Sequence, residues 1–309
     1  MNHFLNLRDI PKSKLRKIIS EAKIRKSKRK KLNTLDLDKD KPLEGKFLIQ
    51  MFEKSSLRTR ISFYLAIKQL GGSALTLRPS ELHLSKGGES LSDTAKIIST
   101  YGNIFMLRTD NDKKIQNFKK FLRIPLINAL SPSGHPLQIL SDIFTIEEIT
   151  KKNISKLNIC WIGDANNVLN SLIEASVKFS FKLNIGCPKQ YKPRSSILNW
   201  ALKNNAKIKI SHDVKMAAKK ADVILTDKVI SMNDKVNKKK KLKAFKSFKV
   251  TREVMNYASN TAIFLHCLPR GAEVSNEVFL SKQSKVWQQA LNRIYVQKSI
   301  LLYCFDKLR

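Results

Sequence analysis

Short apolar runs alternate along this chain with longer stretches whose apolar residues recur every three or four positions. The short runs are bounded by polar, Gly or Pro residues and read as buried strands, while the longer spacing reads as helices with one buried face. In the first half, strands are predicted near Lys46–Phe52, Ala74–Leu77, Ile104–Leu107 and Pro125–Asn128. Helices lie between them, one opening near Arg58 and another covering Ser92–Tyr101. Thr145–Glu148, followed by K-K-N-I-S-K, reads as the end of a long helix running into a linker. The second half restarts the pattern, with strands near Leu157–Ile162, Lys182–Cys187, Val223–Thr226 and Ala262–His266. Helices are predicted after Asn167, after Arg194 and around Lys215–Lys220, and a last one over Trp287–Phe305 carries Leu291, Ile294, Val296, Ile300, Leu301 and Phe305 at near-helical spacing. Strands alternating with helices predict an α/β fold, with parallel sheets flanked by helices. A length of 309 residues fits two domains,. The break in pattern divides them into similar-sized parts, 1–148 and 149–286, followed by the terminal helix 287–309.

Composition narrows the class. With 42% hydrophobic and 27% charged residues the chain can build real cores,. No apolar run reaches the roughly 20 residues that a membrane helix needs. The opening M-N-H-F-L-N-L-R-D-I-P-K-S-K-L-R-K lacks the apolar core and cleavage site of a secretory signal,. Cys160, Cys187, Cys267 and Cys304 show no C-x-x-C spacing and read as reduced thiols, so a cytoplasmic location is expected,. The charge is unusual: 59 Lys and Arg against 25 Asp and Glu, net +34. Such a balance raises nucleic-acid binding as a function. The excess is mostly lysine, however, spread along the chain among many Asn, Ile and Phe residues, as an AT-rich coding bias would write onto solvated surfaces. The densest run, Lys235–Lys246, is accordingly expected on a solvated helix face or loop. In either case the positive field draws anions toward the protein.

Open parallel sheets place their ligand sites at the carboxyl ends of strands, and reactive side chains cluster at those ends here. In F-E-K-S-S-L-R-T-R (52–60) a strand runs into a helix start at Ser56, Leu57, Arg58 and Thr59, where free backbone N–H groups and the helix dipole make an anion site,. In S-P-S-G-H-P-L-Q-I-L (131–140), His135 and Gln138 stand after a strand and can donate to a carbonyl oxygen and accept from an amide,. Arg108 ends the apolar run N-I-F-M-L-R. W-I-G-D-A-N-N-V (161–168) ends a strand and opens a helix but lacks G-x-G-x-x-G, so a dinucleotide site is not expected,. L-T-D-K-V-I-S-M-N-D (225–234) puts Asp227, Ser231 and Met232 just past a strand, an anion for an ammonium followed by N–H donors for a carboxylate. F-L-H-C-L-P-R-G (264–271) carries Cys267 at another strand end.

Taken in order, these segments resemble the aspartate/ornithine carbamoyltransferase family over nearly the whole chain. Ser56–Arg60 resembles its S-T-R-T-R carbamoyl phosphate signature, with Leu57 in place of a threonine. His135 and Gln138 match its H-P-x-Q motif, and His266–Pro269 its H-C-L-P motif. The resemblance implies that the first domain binds carbamoyl phosphate through Ser56, Leu57, Arg58, Thr59, Arg108, His135 and Gln138. Cys267, Leu268 and Arg293 (in A-L-N-R, where Leu291 replaces a glutamate) join this set, as does His83 from a neighbouring subunit, with Lys86 a weaker candidate. It implies that the second domain binds ornithine through Asn167, Asp227, Ser231 and Met232, with Asn233 replacing a glycine, and that the terminal helix packs back on the first domain. Cys267, Arg108 and His135 are the implied catalytic residues. No metal or organic cofactor is implied, because phosphate is already a good leaving group. A homotrimer with shared active sites is implied. A relative using putrescine or an acylated ornithine, and a basic nucleic-acid-binding protein on the same fold, are the alternatives.

Overall fold

The computed structural model describes residues 1–78, 88–230 and 237–308. The chain forms two compact units, Met1–Phe144 with Leu291–Arg309, and Thr145–Ala290.

The first unit opens with helix α1 (Lys12–Ser27) and then alternates β1 (Phe47–Phe52), α2 (Leu57–Gln69), β2 (Ser73–Leu77), α3 (Leu91–Tyr101), β3 (Ile104–Arg108), α4 (Asp112–Phe121) and β4 (Leu126–Leu130) before α5 (Pro136–Thr150) begins. Its four strands are parallel in the order β2-β1-β3-β4. Central β1 and β3 are almost wholly apolar because helices cover both faces,. On one face Ile49, Met51, Phe105 and Leu107 pack with Ile98, Ile115 and Phe118. The strand order reverses between β1 and β3, so a crevice for a ligand is expected at their carboxyl ends. There the β3–β4 register slips between Leu107 and Arg108, an irregularity that re-aims the last side chain of the strand,.

The second unit contains β5 (Asn158–Ile162), α6 (Asn167–Phe179), β6 (Lys182–Gly186), α7 (Ser195–Lys203), β7 (Lys207–Ser211), α8 (Val214–Ala218), β8 (Val223–Thr226), α9 (Lys238–Phe245), α10 (Arg252–Tyr257), β9 (Ile263–His266) and α11 (Asn276–Leu280). Its five parallel strands run in the order β7-β6-β5-β8-β9. The reversal now falls between β5 and β8, which puts Gly163–Asn167 and Asp227 at the switch point. Gly163 has φ +146°, and a Cβ there would stand 3.2 Å from Thr226 Oγ1, so glycine lets the ends of β5 and β8 approach,. Thr226 Oγ1 donates to the Ile162 carbonyl at 2.5 Å and ties the same two ends together.

The last helix, α12 (Val286–Cys304), returns to the first unit as the sequence led us to expect. Lys298 Nζ reaches Asp38 at 2.8 Å, and Tyr303 meets Phe4 edge-on at 6.4 Å. Asp38 also accepts from Arg29 (2.8 Å) and Arg25 (3.2 Å), and Arg25 pairs with Glu21 and Asp40, making a buried charge cluster. Short helices α10 and α11, edge strand β7 and helix α1 escaped the sequence reading. Edge strand β7 is K-I-K-I-S, whose alternation is genuine but whose lysines mask it as surface. Helix α1 was hidden in the same way, its buried Leu15, Ile18, Ile19 and Ala22 lying among seven Lys and Arg residues.

Candidate active site

In the first unit, Ser56 caps α2 in an extended conformation and its hydroxyl accepts from the Thr59 N–H at 3.4 Å. The cap takes the Thr59 N–H, and the N–H groups of Leu57 and Arg58 ahead of it have no acceptor within the helix,. Leu57 is 71% exposed and projects into solvent, so its backbone, not its side chain, is what this position offers a ligand. Thr59 is buried, and its Oγ1 accepts from Arg293 Nη2 at 2.9 Å. Arg293 Nη1 donates to Gln138 Oε1, and Gln138 Nε2 in turn donates to Asp142 at 2.8 Å. Gln138 thus has its amide oriented by partners on both sides.

His135 stands just before α5, buried, with its carbonyl accepting from the Gln138 N–H at 3.1 Å. Burial, then the charges of Arg293, Arg108 and Arg58, hold its pKa well below the usual histidine value,. The ring is therefore a neutral N–H donor in a strongly positive surrounding. Such a group polarises a carbonyl oxygen while the guanidinium groups attract a phosphate. Segments far apart in sequence supply this set, and the structure brings together Thr59, His135, Gln138 and Arg293 with the charges of Arg58 and Arg108. His83 and Lys86 lie outside the described residues.

In the second unit, Asp227 follows β8, and both its oxygens are engaged. Cys267 Sγ donates to Oδ1 at 2.8 Å and Asn166 Nδ2 donates to Oδ2 at 2.7 Å. Asn166, which sequence reasoning passed over in favour of Asn167, the first residue of α6, is the asparagine that meets Asp227. Its Oδ1 caps α6, accepting from the Val168 and Leu169 N–H groups at 3.0 and 3.2 Å, while its Nδ2 orients Asp227. The capping half was legible from an asparagine at a helix start. The Asp227 contact was not. Ser231, Met232 and Asn233 lie outside the described residues.

The G-D-A-N-N turn is itself anchored. Trp161 Nε1 donates to the Asp164 carbonyl at 3.1 Å, and Lys241 Nζ meets Asp164 Oδ2 at 2.6 Å. The described lysines of the run, Lys238, Lys239, Lys240, Lys243 and Lys246, are exposed as expected, and Lys241 is the exception at 3%. Its stem lies against the core and its ammonium is matched by a carboxylate, the condition under which a lysine can be buried.

At the end of β9 the turn through Cys267 and Leu268 is braced from within. Leu268 adopts φ +57°, a left-handed conformation that costs a side-chain-bearing residue roughly 1–2 kcal/mol,. Its N–H donates to His266 Nδ1 at 2.8 Å. His266 Nε2 contacts Glu273 Oε1 at 2.9 Å, and the Gly271 N–H donates to the same oxygen. Burial alone would raise the Glu273 carboxyl pKa, but the hydrogen bonds from His266 and the backbone hold it below the usual value,. Ligand-type atoms of Asp227, His266 and Cys267 lie within 4.8 Å of one another. Both ring nitrogens of His266 and the Cys267 thiol are already engaged in the hydrogen bonds described, which account for that grouping.

Residues 2–148 match the carbamoyl-P binding domain of the aspartate/ornithine carbamoyltransferases, and residues 155–304 match their Asp/Orn binding domain. An ornithine carbamoyltransferase of Rhizobium meliloti is 40% identical over 304 residues, which cover 98% of each chain. Among solved structures, the anabolic ornithine carbamoyltransferase of Campylobacter jejuni is similar with a TM-score of 0.90 and 36% identity, covering 99% of this chain and 100% of that one. The ornithine carbamoyltransferase of Pyrococcus furiosus gives 0.90 and 35%, covering 97% of this chain and 96% of that one.

Proposed function

The chain belongs to the aspartate/ornithine carbamoyltransferase family, and from that premise we propose that it transfers the carbamoyl group of carbamoyl phosphate to the δ-amine of L-ornithine, releasing L-citrulline and phosphate. The observation that carries this reading is the convergence of Arg58, Arg108 and Arg293 on the neutral, buried His135. Few substrates ask for a phosphate-attracting set of guanidinium groups and a neutral carbonyl donor in one place.

In this reading the phosphate rests on the helix start at Ser56–Thr59 with Arg58, Arg108 and Arg293. The carbamoyl oxygen meets Thr59, Arg108 and His135, and the carbamoyl amide meets Gln138 and the Leu268 backbone. Attack by the amine places negative charge on the carbamoyl oxygen, and each donor aimed at it contributes roughly 3 kcal/mol in the transition state. Asp227 holds the α-ammonium of ornithine, with Asn167, Ser231 and Met232 as further contacts. Each oxygen of Asp227 retains lone-pair capacity beyond its bond to Cys267 or Asn166. A free alkylamine has a pKa near 10.4, so the attacking nitrogen must shed a proton. Cys267, whose thiol donates to Asp227 at 2.8 Å, is the group that orients the amine, or that takes its proton as the thiol's own proton passes to Asp227.

A homotrimer with shared active sites and a cytoplasmic location complete the reading. Self-association is supported by exposed Leu57, Ile61 and Tyr64 along one face of α2, and by exposed Ile97 and Tyr101 on α3. Among the described residues no helix is long and apolar enough to cross a membrane. The test is citrulline formation by the purified protein from carbamoyl phosphate and four acceptors: ornithine, putrescine, N-acetylornithine and aspartate. Ornithine is expected to give the highest kcat/KM. A clear preference for putrescine or N-acetylornithine would overturn the acceptor, and salt-sensitive nucleic-acid binding with no citrulline would overturn the activity.

A further inference from the structure

We propose that Glu273 is a positioning residue for carbamoyl transfer, holding the His266 ring in the one tautomer that can fix the backbone of Leu268. The inference rests on the reading above, in which the Cys267–Leu268 turn meets the carbamoyl group.

A backbone N–H can only donate, so the Leu268 N–H, 2.8 Å from His266 Nδ1, requires a lone pair on that nitrogen,. The ring proton must then sit on Nε2, which donates to Glu273 Oε1 at 2.9 Å,. The same carboxylate oxygen accepts from the Gly271 N–H, so one side chain secures the turn at both ends. His266 and Glu273 are both buried, which leaves water little access to replace either partner.

Removal of the carboxylate frees the other tautomer. A proton on Nδ1 would then face the Leu268 N–H, donor against donor, and expel it. Leu268 is the residue that can least afford to lose that bond, because it sits at φ +57° without being a glycine,. Its relaxation would shift the turn that carries both Leu268 and Cys267, and Cys267 is the residue whose thiol contacts Asp227. Glu273 touches neither substrate in this scheme. It acts through His266, two bonds removed from the reacting atoms.

The test uses the full-length protein with Glu273→Ala, Glu273→Gln and Glu273→Asp. Glutamine keeps an acceptor oxygen for both donors, aspartate is one methylene short of reaching both, and alanine offers none. We expect E273Q to stay within about threefold of the unaltered kcat/KM, as one neutral acceptor replaces another. E273A is expected to lower kcat/KM for carbamoyl phosphate by about thirtyfold or more, with the ornithine KM moving less than about threefold. E273D should show the same split at smaller size, and it carries the test if the alanine variant does not fold. Nitrogen-15 spectra of histidine-labelled protein should show the His266 Nε2–H form in the unaltered protein and in E273Q, and a mixture in E273A or E273D. A purely structural role would lower the melting temperature but leave the kinetics per folded molecule unchanged, and that result overturns the proposal. An unchanged tautomer in E273A and E273D, or equal losses in E273Q and E273A, also overturns it. Failure of the unaltered protein to make citrulline overturns the reading beneath it, whereas an active parent with a normal E273A overturns this inference alone.

Discussion

In the first unit three guanidinium charges crowd one neutral imidazole, whereas in the second a single carboxylate is held by a thiol and a carboxamide. The two sets face opposite electrostatic tasks. In the proposed function the first receives an anion and then stabilises more negative charge as phosphate departs, so a surplus of cations is useful. Keeping His135 neutral prevents that surplus from becoming self-defeating. The second must receive a cation yet leave a nearby amine uncharged, so it presents one negative group and surrounds it with neutral donors. On the proposed reading, charge does the binding in one unit, and orientation of a single charge does it in the other.

The largest expected effect breaks the first set. Arg58→Ala should lower kcat/KM by more than ~3 kcal/mol, about 150-fold, with a circular dichroism spectrum like that of the parent. Near-normal kinetics would remove Arg58 from the phosphate site. Breaking the second set should show in discrimination between acceptors. Asp227→Asn is expected to reduce ornithine kcat/KM about a hundredfold and to narrow its advantage over putrescine, because an ammonium loses its part-buried counter-charge,. Unchanged selectivity among acceptors would assign the α-ammonium elsewhere.

The first unit's tolerance for buried cations has a limit at Lys298. Burial lowers its ammonium to about 8 despite the hydrogen bond to Asp38, and the charges of Arg29 and Arg25 add to the fall. Its pKa in the unfolded chain is the ordinary 10.5. Between these values the unfolded chain binds more protons, so this group's destabilising effect is complete below pH 8 and fades as pH rises toward 10.5. Lys298→Met leaves Asp38 paired with Arg25 and Arg29. It should therefore raise stability most at pH 7, by up to ~3 kcal/mol, and less at pH 10. Urea unfolding of both proteins at the two pH values checks this, and a gain that grows with pH would refute the assigned titration.

Two smaller effects sharpen the contrast. Asn166→Ala should raise the ornithine KM about tenfold, as a hydrogen bond to a charged group is lost, and should lower stability by about 1 kcal/mol through the missing cap. Carbamoyl phosphate binding should be unaffected, and calorimetry with each ligand separates the two. Asn166→Asp restores the cap but sets a second carboxylate against Asp227, so stability should recover while ornithine use should not. Leu57→Thr should change the carbamoyl phosphate KM by less than about tenfold, the worth of one hydroxyl contact. A hundredfold gain would show that ordinary carbamoyl phosphate is not the natural donor.

The strands near 46–52, 104–107 and 223–226 were legible because buried parallel strands are apolar runs, and a run is a local property of the chain. The helix start at Ser56 was legible for a related reason, since capping residues and free N–H groups act within one turn. Strand β7 was harder to see, because an edge strand buries little and its lysines serve the surface,. Lys241 could not be read at all. Among neighbouring lysines, only the fold chose which one meets Asp164.

By itself, the sequence determined the alternation of strands and helices, the capped helix start at Ser56 and the identity of the side chains at strand ends. Each of these follows from forces acting over a few residues, such as the burial of a face, the satisfaction of a turn or the geometry of a cap. Only the tertiary structure decided who meets whom. Arg293 finds Gln138 across 155 positions and Thr59 across 234, Asn166 turns its free amide to Asp227, and Glu273 selects the tautomer of His266. The units also divide inside α5 and α12, where no break in helical pattern marks a boundary. Such pairings depend on where whole elements come to rest, and no local window of sequence contains both partners.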